Sequence, residues 1–262
     1  MTSEAIAGTP GGVSLSIDDG VAVITIDRPA VRNAIGFATT SELDTAISEV
    51  ARSDAAVLVL TGGGDRAFVS GGDLKELATV RTHAEAVQMA SNVRDVLDRL
   101  AQVPVPVIAA MNGHALGGGA EVAVAADIRI AADDIRIGFS QVDLGIMPAW
   151  GGIERLTGLV GRARALLAIT TGTQYDAAAA REIGLIDLVV PRAAFDAEWR
   201  ALAAKLASLA PGTTQAVKEV VTAARPAVHP DSRDRAIDLF AALWAAPEHW
   251  AAVEAATARR RK

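Results

Sequence analysis

Three consecutive glycines, Gly117, Gly118 and Gly119, run through Ala120 into the carboxylate of Glu121 and then into an apolar helical pattern. Glycine weakens a helix by about 1 kcal/mol relative to alanine, so a triplet at a helix mouth leaves the main chain bare and approachable. A helix N-terminus also presents unpaired N–H groups and the positive end of a dipole, which favours developing negative charge. Glu121 lies one turn in, within reach of a proton transfer. Taken alone, the triplet is equally well explained by close packing of a helix against a strand. A second glycine turn, Ser70-Gly71-Gly72-Asp73, follows Ala67-Phe68-Val69 and leads into Leu74-Lys75-Glu76. Two loops each able to present a backbone N–H, with a carboxylate just beyond one of them, are the components of an oxyanion hole joined to a general acid or base.

Other chemistries fit less well. Gly62-Gly63-Gly64-Asp65-Arg66-Ala67 matches G-x-G-x-x-A, but a dinucleotide fingerprint requires a helix to open at once, and Phe68-Val69-Ser70-Gly71-Gly72 follows instead. No G-x-x-x-x-G-K-[ST] loop is present, and Ser70 is not framed by G-x-S-x-G. The histidines His83, His114, His229 and His249 lack metal-ligand spacing and read as surface or supporting residues, with His114 nearest the glycines. The chain has no cysteine, which removes disulfides, thiolate zinc sites and cysteine nucleophiles.

The elements that must position these residues alternate between sheet and helix. Val13 to Ile17 and Val21 to Ile26 read as strands around an Asp18-Asp19-Gly20 hairpin turn, followed by a helix from Phe37 to Ala51 and a buried strand from Ala56 to Leu60. A helix over Ala84 to Ala101 puts Val93, Leu97 and Leu100 on one face and stops at Val103-Pro104-Val105-Pro106, and a strand from Val107 to Met111 delivers the chain to the glycine triplet. Short strands are expected over Asp127 to Ala131, Ile135 to Phe139 and Leu185 to Val190. The remainder is helical, over Ala193 to Leu209, Thr213 to Ala224 and Ser232 to Ala245, with Ile237, Phe240 and Trp244 on one face. This is an α/β pattern in 262 residues, with 51% hydrophobic residues and 21% charged, enough for one large core. Neither a signal peptide nor an apolar run of the ~18 residues a membrane span needs is evident, so the expectation is a cytoplasmic chain with no membrane partner. A net charge of -6 argues against nucleic-acid binding, the basic tail Arg259-Arg260-Arg261-Lys262 being read as a solvated end.

Taken jointly and in order, three segments resemble the enoyl-CoA hydratase/isomerase family, the crotonase superfamily. They are Arg28-Pro29-Ala30-Val31-Arg32-Asn33-Ala34, Ala67 to Glu76, and Gly113 to Glu121, and the resemblance spans nearly the whole chain. It implies a ClpP/crotonase spiral of repeated ββα units over residues 1–195, with a C-terminal helical region over 196–262 that assembles a homotrimer or a dimer of trimers. It also implies an acyl-CoA thioester substrate, with coenzyme A part of the substrate and no metal or separate cofactor. By position Gly72 and Gly118 would hold the thioester oxygen, Glu121 would handle the proton, and Arg28, Ala30, Ser70, Asp73 and Leu74 would contact the substrate. Trp150 reads as a wall of the acyl slot rather than a reacting group.

One departure limits the expected reaction. Hydratases of this family carry two glutamates, and counting back from Pro148 puts the second at Gln141, which neither gives nor takes a proton at neutral pH. Three reactions stay open. Decarboxylation of a malonyl-type thioester needs only the hole and a later proton, and Pro148-Ala149-Trp150-Gly151-Gly152 resembles the corresponding stretch of ethylmalonyl-CoA and methylmalonyl-CoA decarboxylases. Isomerisation needs one base, which Glu121 supplies. Hydration requires Glu121 to work with Gln141 holding the water, or Asp143 to replace the lost acid. A non-catalytic acyl-CoA-binding homologue is the remaining alternative.

Overall fold

Val57 to Leu60 and Val107 to Met111 are unbroken apolar runs, and every residue in both is fully removed from solvent. Strands apolar on both faces belong to a parallel sheet covered on both sides, and both runs lie at the centre of one. The structure, a computed structural model, describes residues 4–6, 11–210, 212–224 and 231–260; His229 and the tail residues Arg261 and Lys262 lie outside them.

The chain enters through β1 (Glu4–Ile6), β2 (Val13–Asp18) and β3 (Val21–Ile26), which pair antiparallel. Asp19 and Gly20 turn the β2–β3 hairpin at φ 46° and 76°, the positive-φ pair that a two-residue hairpin requires. Helix α1 (Phe37–Val50) then crosses over to β4 (Val57–Gly62), parallel to β3. From here each repeat places one strand in the large sheet and one in a small sheet before its helix. β4 is followed by β5 (Ala67–Val69), α2 (Leu74–Leu77) and α3 (His83–Gln102). β6 (Val107–Met111) is followed by β7 (His114–Leu116) and α4 (Gly118–Ala125). β8 (Ile128–Ala132) is followed by β9 (Arg136–Gly138), a 3₁₀ turn over Ser140–Leu144, α5 (Gly152–Val160) and α6 (Arg162–Thr171).

β10 (Gln174–Asp176) closes the small sheet, α7 (Ala177–Glu182) follows, and β11 (Leu188–Val190) closes the large one. The large sheet runs β1-β2-β3-β4-β6-β8-β11 and the small sheet β10-β9-β7-β5. The result is the expected spiral of ββα units. Helices α8 (Phe195–Ala207), α9 (Thr213–Ala223), α10 (Ser232–Ala245) and α11 (Pro247–Arg260) complete the chain. Among the described residues no helix is long and apolar enough to cross a membrane.

Two sequence expectations change. The strand expected from Leu185 begins only at Leu188, because Leu185 and Ile186 are buried in the turn after α7, where their N–H groups donate to the Ala180 carbonyl. The segment between Gly151 and Gly172 is two helices, α5 and α6, where no element was anticipated. Its positive-φ glycines, Gly151, Gly161 and Gly172, sit at the helix ends as caps rather than breaking a helix.

Candidate active site

Glu121 is 2% exposed, and its two oxygens are used differently. Oε2 accepts from the backbone N–H of Trp150 at 2.8 Å and of Gly152 at 2.9 Å, while Oε1 accepts one bond, from Gln141 Nε2 at 2.9 Å. Burial pushes this carboxyl up to about 7, against the opposing pull of those two N–H groups, of the Arg155 charge and of Gln141. A carboxyl balanced near neutrality can both take and return a proton. Gln141 is itself buried, and among the described residues its own Oε1 has no protein donor. The pair therefore presents an acceptor on each partner beside a single exchangeable proton.

The glycine triplet is needed residue by residue, for three different reasons. Gly117 has φ 55° and ψ -121°, a region closed to side chains. A Cβ on Gly118 would stand 2.2 Å from the Trp150 ring, and one on Gly119 would stand 1.8 Å from the Val69 carbonyl oxygen. The packing account of the triplet is thus correct for Gly119, where α4 lies on β5. Gly118 opens α4, so its N–H has no partner within the helix.

The second loop converges on the first. A Cβ on Gly71 would lie 3.4 Å from Gly118 N. Ile35 bridges this loop by donating to the Gly71 carbonyl and accepting from Asp73 N–H. Alternation along an extended chain then turns the N–H of the intervening Gly72 away from Ile35. Among the described residues, neither Gly72 N–H nor Gly118 N–H donates to a protein acceptor.

Both amides line a cavity of about 940 Å³, together with Glu121, Gln141 and Trp150. Ala30, Ser70, Asp73 and Leu74 line it as well. Arg28 is placed differently from its neighbours: it clamps the loops, donating to the Ala34 carbonyl at 2.6 Å and pairing with Asp73 at 3.1 Å. Asp143 is an exposed part of the lining. His114 is exposed on β7, where its Nδ1 accepts from Arg136 N–H. The Gly62-Gly63-Gly64 turn runs from β4 to β5 with no helix, which removes the dinucleotide reading.

Some contributors were not legible as such. Asn33, fully buried at φ 57°, donates to the carbonyls of Gly63 and Ala67. Asn112 bonds Gly62 and Gly64, so two asparagines hold the loop ahead of β5. His249 is fully buried, and its Nδ1 lies 2.7 Å from the Leu144 carbonyl at the end of the turn that carries Gln141. α10 and α11 also reach the cavity, through Phe240, Trp244 and Val253. An Asn at positive φ is a weak sequence signal, and distant helices give none.

The profile of the enoyl-CoA hydratase/isomerase family matches residues 16–255. The chain belongs to this family. It is 38% identical over 210 residues to the short-chain-enoyl-CoA hydratase of Clostridium acetobutylicum, covering 80% of each chain. It is 40% identical over 207 residues to a probable enoyl-CoA hydratase of Rhodobacter capsulatus, covering 79% of each. Among solved structures it is similar to an enoyl-CoA hydratase from Bacillus anthracis, with a TM-score of 0.75 at 34% identity over 85% of this chain and 83% of that one. A carnitinyl-CoA hydratase from Mycobacterium avium gives a TM-score of 0.82 at 31% identity, over 96% and 97%. For an enoyl-CoA hydratase/isomerase family chain the α/β spiral is the expected fold, and in this member Gln141 stands beside Glu121.

Proposed function

We propose that this chain acts on acyl-CoA thioesters through an enolate whose oxygen is held by the N–H groups of Gly72 and Gly118. The observation that carries the reading is the convergence of two free amides on one cavity with a buried carboxyl poised near pH 7. Donors at 2.7 to 3.1 Å from an oxyanion in a dry site are worth about 2.7 to 4 kcal/mol each in barrier, so the enolate needs no metal or further cofactor. Arg32, Lys75 and Arg259, exposed cations along the same cavity, suit the phosphates of coenzyme A.

Hydratase or isomerase chemistry is the first reading, supported by the family and by the names of the relatives. In hydration, a water between Glu121 Oε1 and Gln141 Oε1 gives its proton to Glu121 and its hydroxyl to the β-carbon, and Glu121 returns that proton to the α-carbon. In isomerisation, Glu121 takes a proton from the α-carbon and returns it to the γ-carbon. Gln141 favours a second reading, loss of CO₂ from a malonyl-type thioester, because a second carboxylate would repel the substrate's own in a water-poor pocket. Purified protein assayed against crotonyl-CoA, a 3-enoyl-CoA, and methylmalonyl- and ethylmalonyl-CoA separates these reactions. Turnover of the first two supports the first reading, and turnover of the malonyl-type thioesters alone replaces it with the second. Glu121→Ala is expected to lower turnover by about 10²- to 10⁴-fold while coenzyme A thioesters still bind, since the backbone donors survive. Undiminished turnover would remove Glu121 from the mechanism.

A further inference from the structure

A second cavity, of about 290 Å³, lies behind the candidate site and has no part in the chemistry above. Its lining is apolar on one side, with Ile35, Leu77, Met89, Val93 and Val96, and polar on the other, with Asp44, Asp95, Arg99 and the exposed Asn92. Among the described residues, only Leu77, Met89 and Trp150 line both this cavity and the larger one. The partition between the two spaces is therefore three side chains, of which Trp150 is the largest. Its indole meets the glycines of both loops: a Cβ on Gly72 would lie 3.7 Å from the ring, and the ring excludes any Cβ from Gly118. A carbonyl held between the Gly72 and Gly118 amides would thus carry an acyl chain that meets the indole within a few carbons.

Resting on the acyl-CoA reading, we infer that Trp150 is a specificity-determining residue that limits this chain to short acyl groups by closing off the apolar side of the cavity behind it. The restriction is steric. Removing the indole joins the two spaces, while the Trp150 backbone N–H that holds Glu121 is retained. Each methylene entering an apolar cavity raises affinity about fourfold, at ~0.8 kcal/mol per CH₂. The four that separate octanoyl from butyryl together gain up to about 200-fold.

The test measures binding of unreactive saturated thioesters by calorimetry, with butyryl-CoA and octanoyl-CoA as probes, so it does not depend on which reaction the site performs. Trp150→Ala is expected to raise the octanoyl-to-butyryl affinity ratio at least tenfold. Asn92→Trp, which refills the second cavity from its rim, should return that ratio toward the parent value in the Trp150→Ala background and leave butyryl-CoA binding unchanged on its own. An unaltered ratio in a folded Trp150→Ala protein overturns the inference, and so does a raised ratio that Asn92→Trp fails to reverse. Should Trp150→Ala not fold, Trp150→Leu gives the same readout, and a ratio equal to the parent's overturns it. If neither thioester binds the parent, the acyl-CoA reading itself fails and takes the inference with it. Binding of both with the ratio unmoved removes the inference alone.

Discussion

Glu121 Oε2 is saturated by two main-chain donors, which leaves Oε1, facing Gln141, as the oxygen that would exchange a proton in the proposed reaction. If the carboxylate is the base, kcat/KM should rise with pH and level off above about 7, where burial has placed this group. A folded carboxyl raised from 4.5 to about 7 favours the fold while the unfolded chain is also protonated, and that contribution is lost as pH rises from 4.5 through 7. Relative to Glu121→Gln, the parent should therefore lose about 3 kcal/mol across that window in denaturant titrations at pH 4.5 and 8. A difference that does not change with pH would contradict the placement. Gln141→Glu sets a second carboxyl 2.9 Å from the first, so the midpoint of the pH–rate profile should move up by a unit or more, the two groups sharing one proton. Glu121 was legible from the sequence because a carboxylate one turn past bare backbone has few other uses. The orphan oxygen of Gln141 was not, because it depends on which way a buried amide is turned.

Loops and helix mouths carry the site, and their glycines divide into those that make room for function and those that make room for packing. Gly118→Ala keeps its N–H but drives a methyl into the Trp150 ring, so steady-state kinetics should show a loss of about 10²- to 10³-fold in kcat/KM as the amide is displaced. Gly119→Ala meets the Val69 carbonyl instead and should act on stability, by about 1 to 3 kcal/mol in urea unfolding. Equal effects on both quantities in both variants would refute that division. Strands such as Val107–Met111 were readable because unbroken apolar runs have one home in an α/β sheet. The small sheet was less so: β5, β7, β9 and β10 are three residues each, and their pairing joins segments far apart in sequence. α5 and α6 were missed because the stretch from Gly151 through Gly172 holds five glycines. Their positive-φ positions prove to be caps, while Gly158 stays inside α5 with nothing within 4 Å of a Cβ there.

The described surface keeps apolar side chains in the open, with Val217, Val220 and Val221 on α9 at 58%, 69% and 59% exposure and Leu166 and Leu167 on α6 above half. Exposed apolar area of this kind suits self-association. A homotrimer of three 27.0 kDa chains should give about 81 kDa by light scattering, or twice that for a dimer of trimers, and Val220→Glu should shift the mass toward the monomer. A monomeric parent would contradict the assembly. The composition showed that a large core was available but gave no sign that α10 and α11 would line the cavity, since contacts between residues more than 100 apart leave no local pattern. The most direct measurement for the whole account is a crystal structure with a coenzyme A thioester bound. The account predicts its carbonyl oxygen 2.7 to 3.1 Å from both Gly72 N and Gly118 N, with the α-carbon beside Glu121 Oε1. A thioester oxygen seated away from either amide would contradict it.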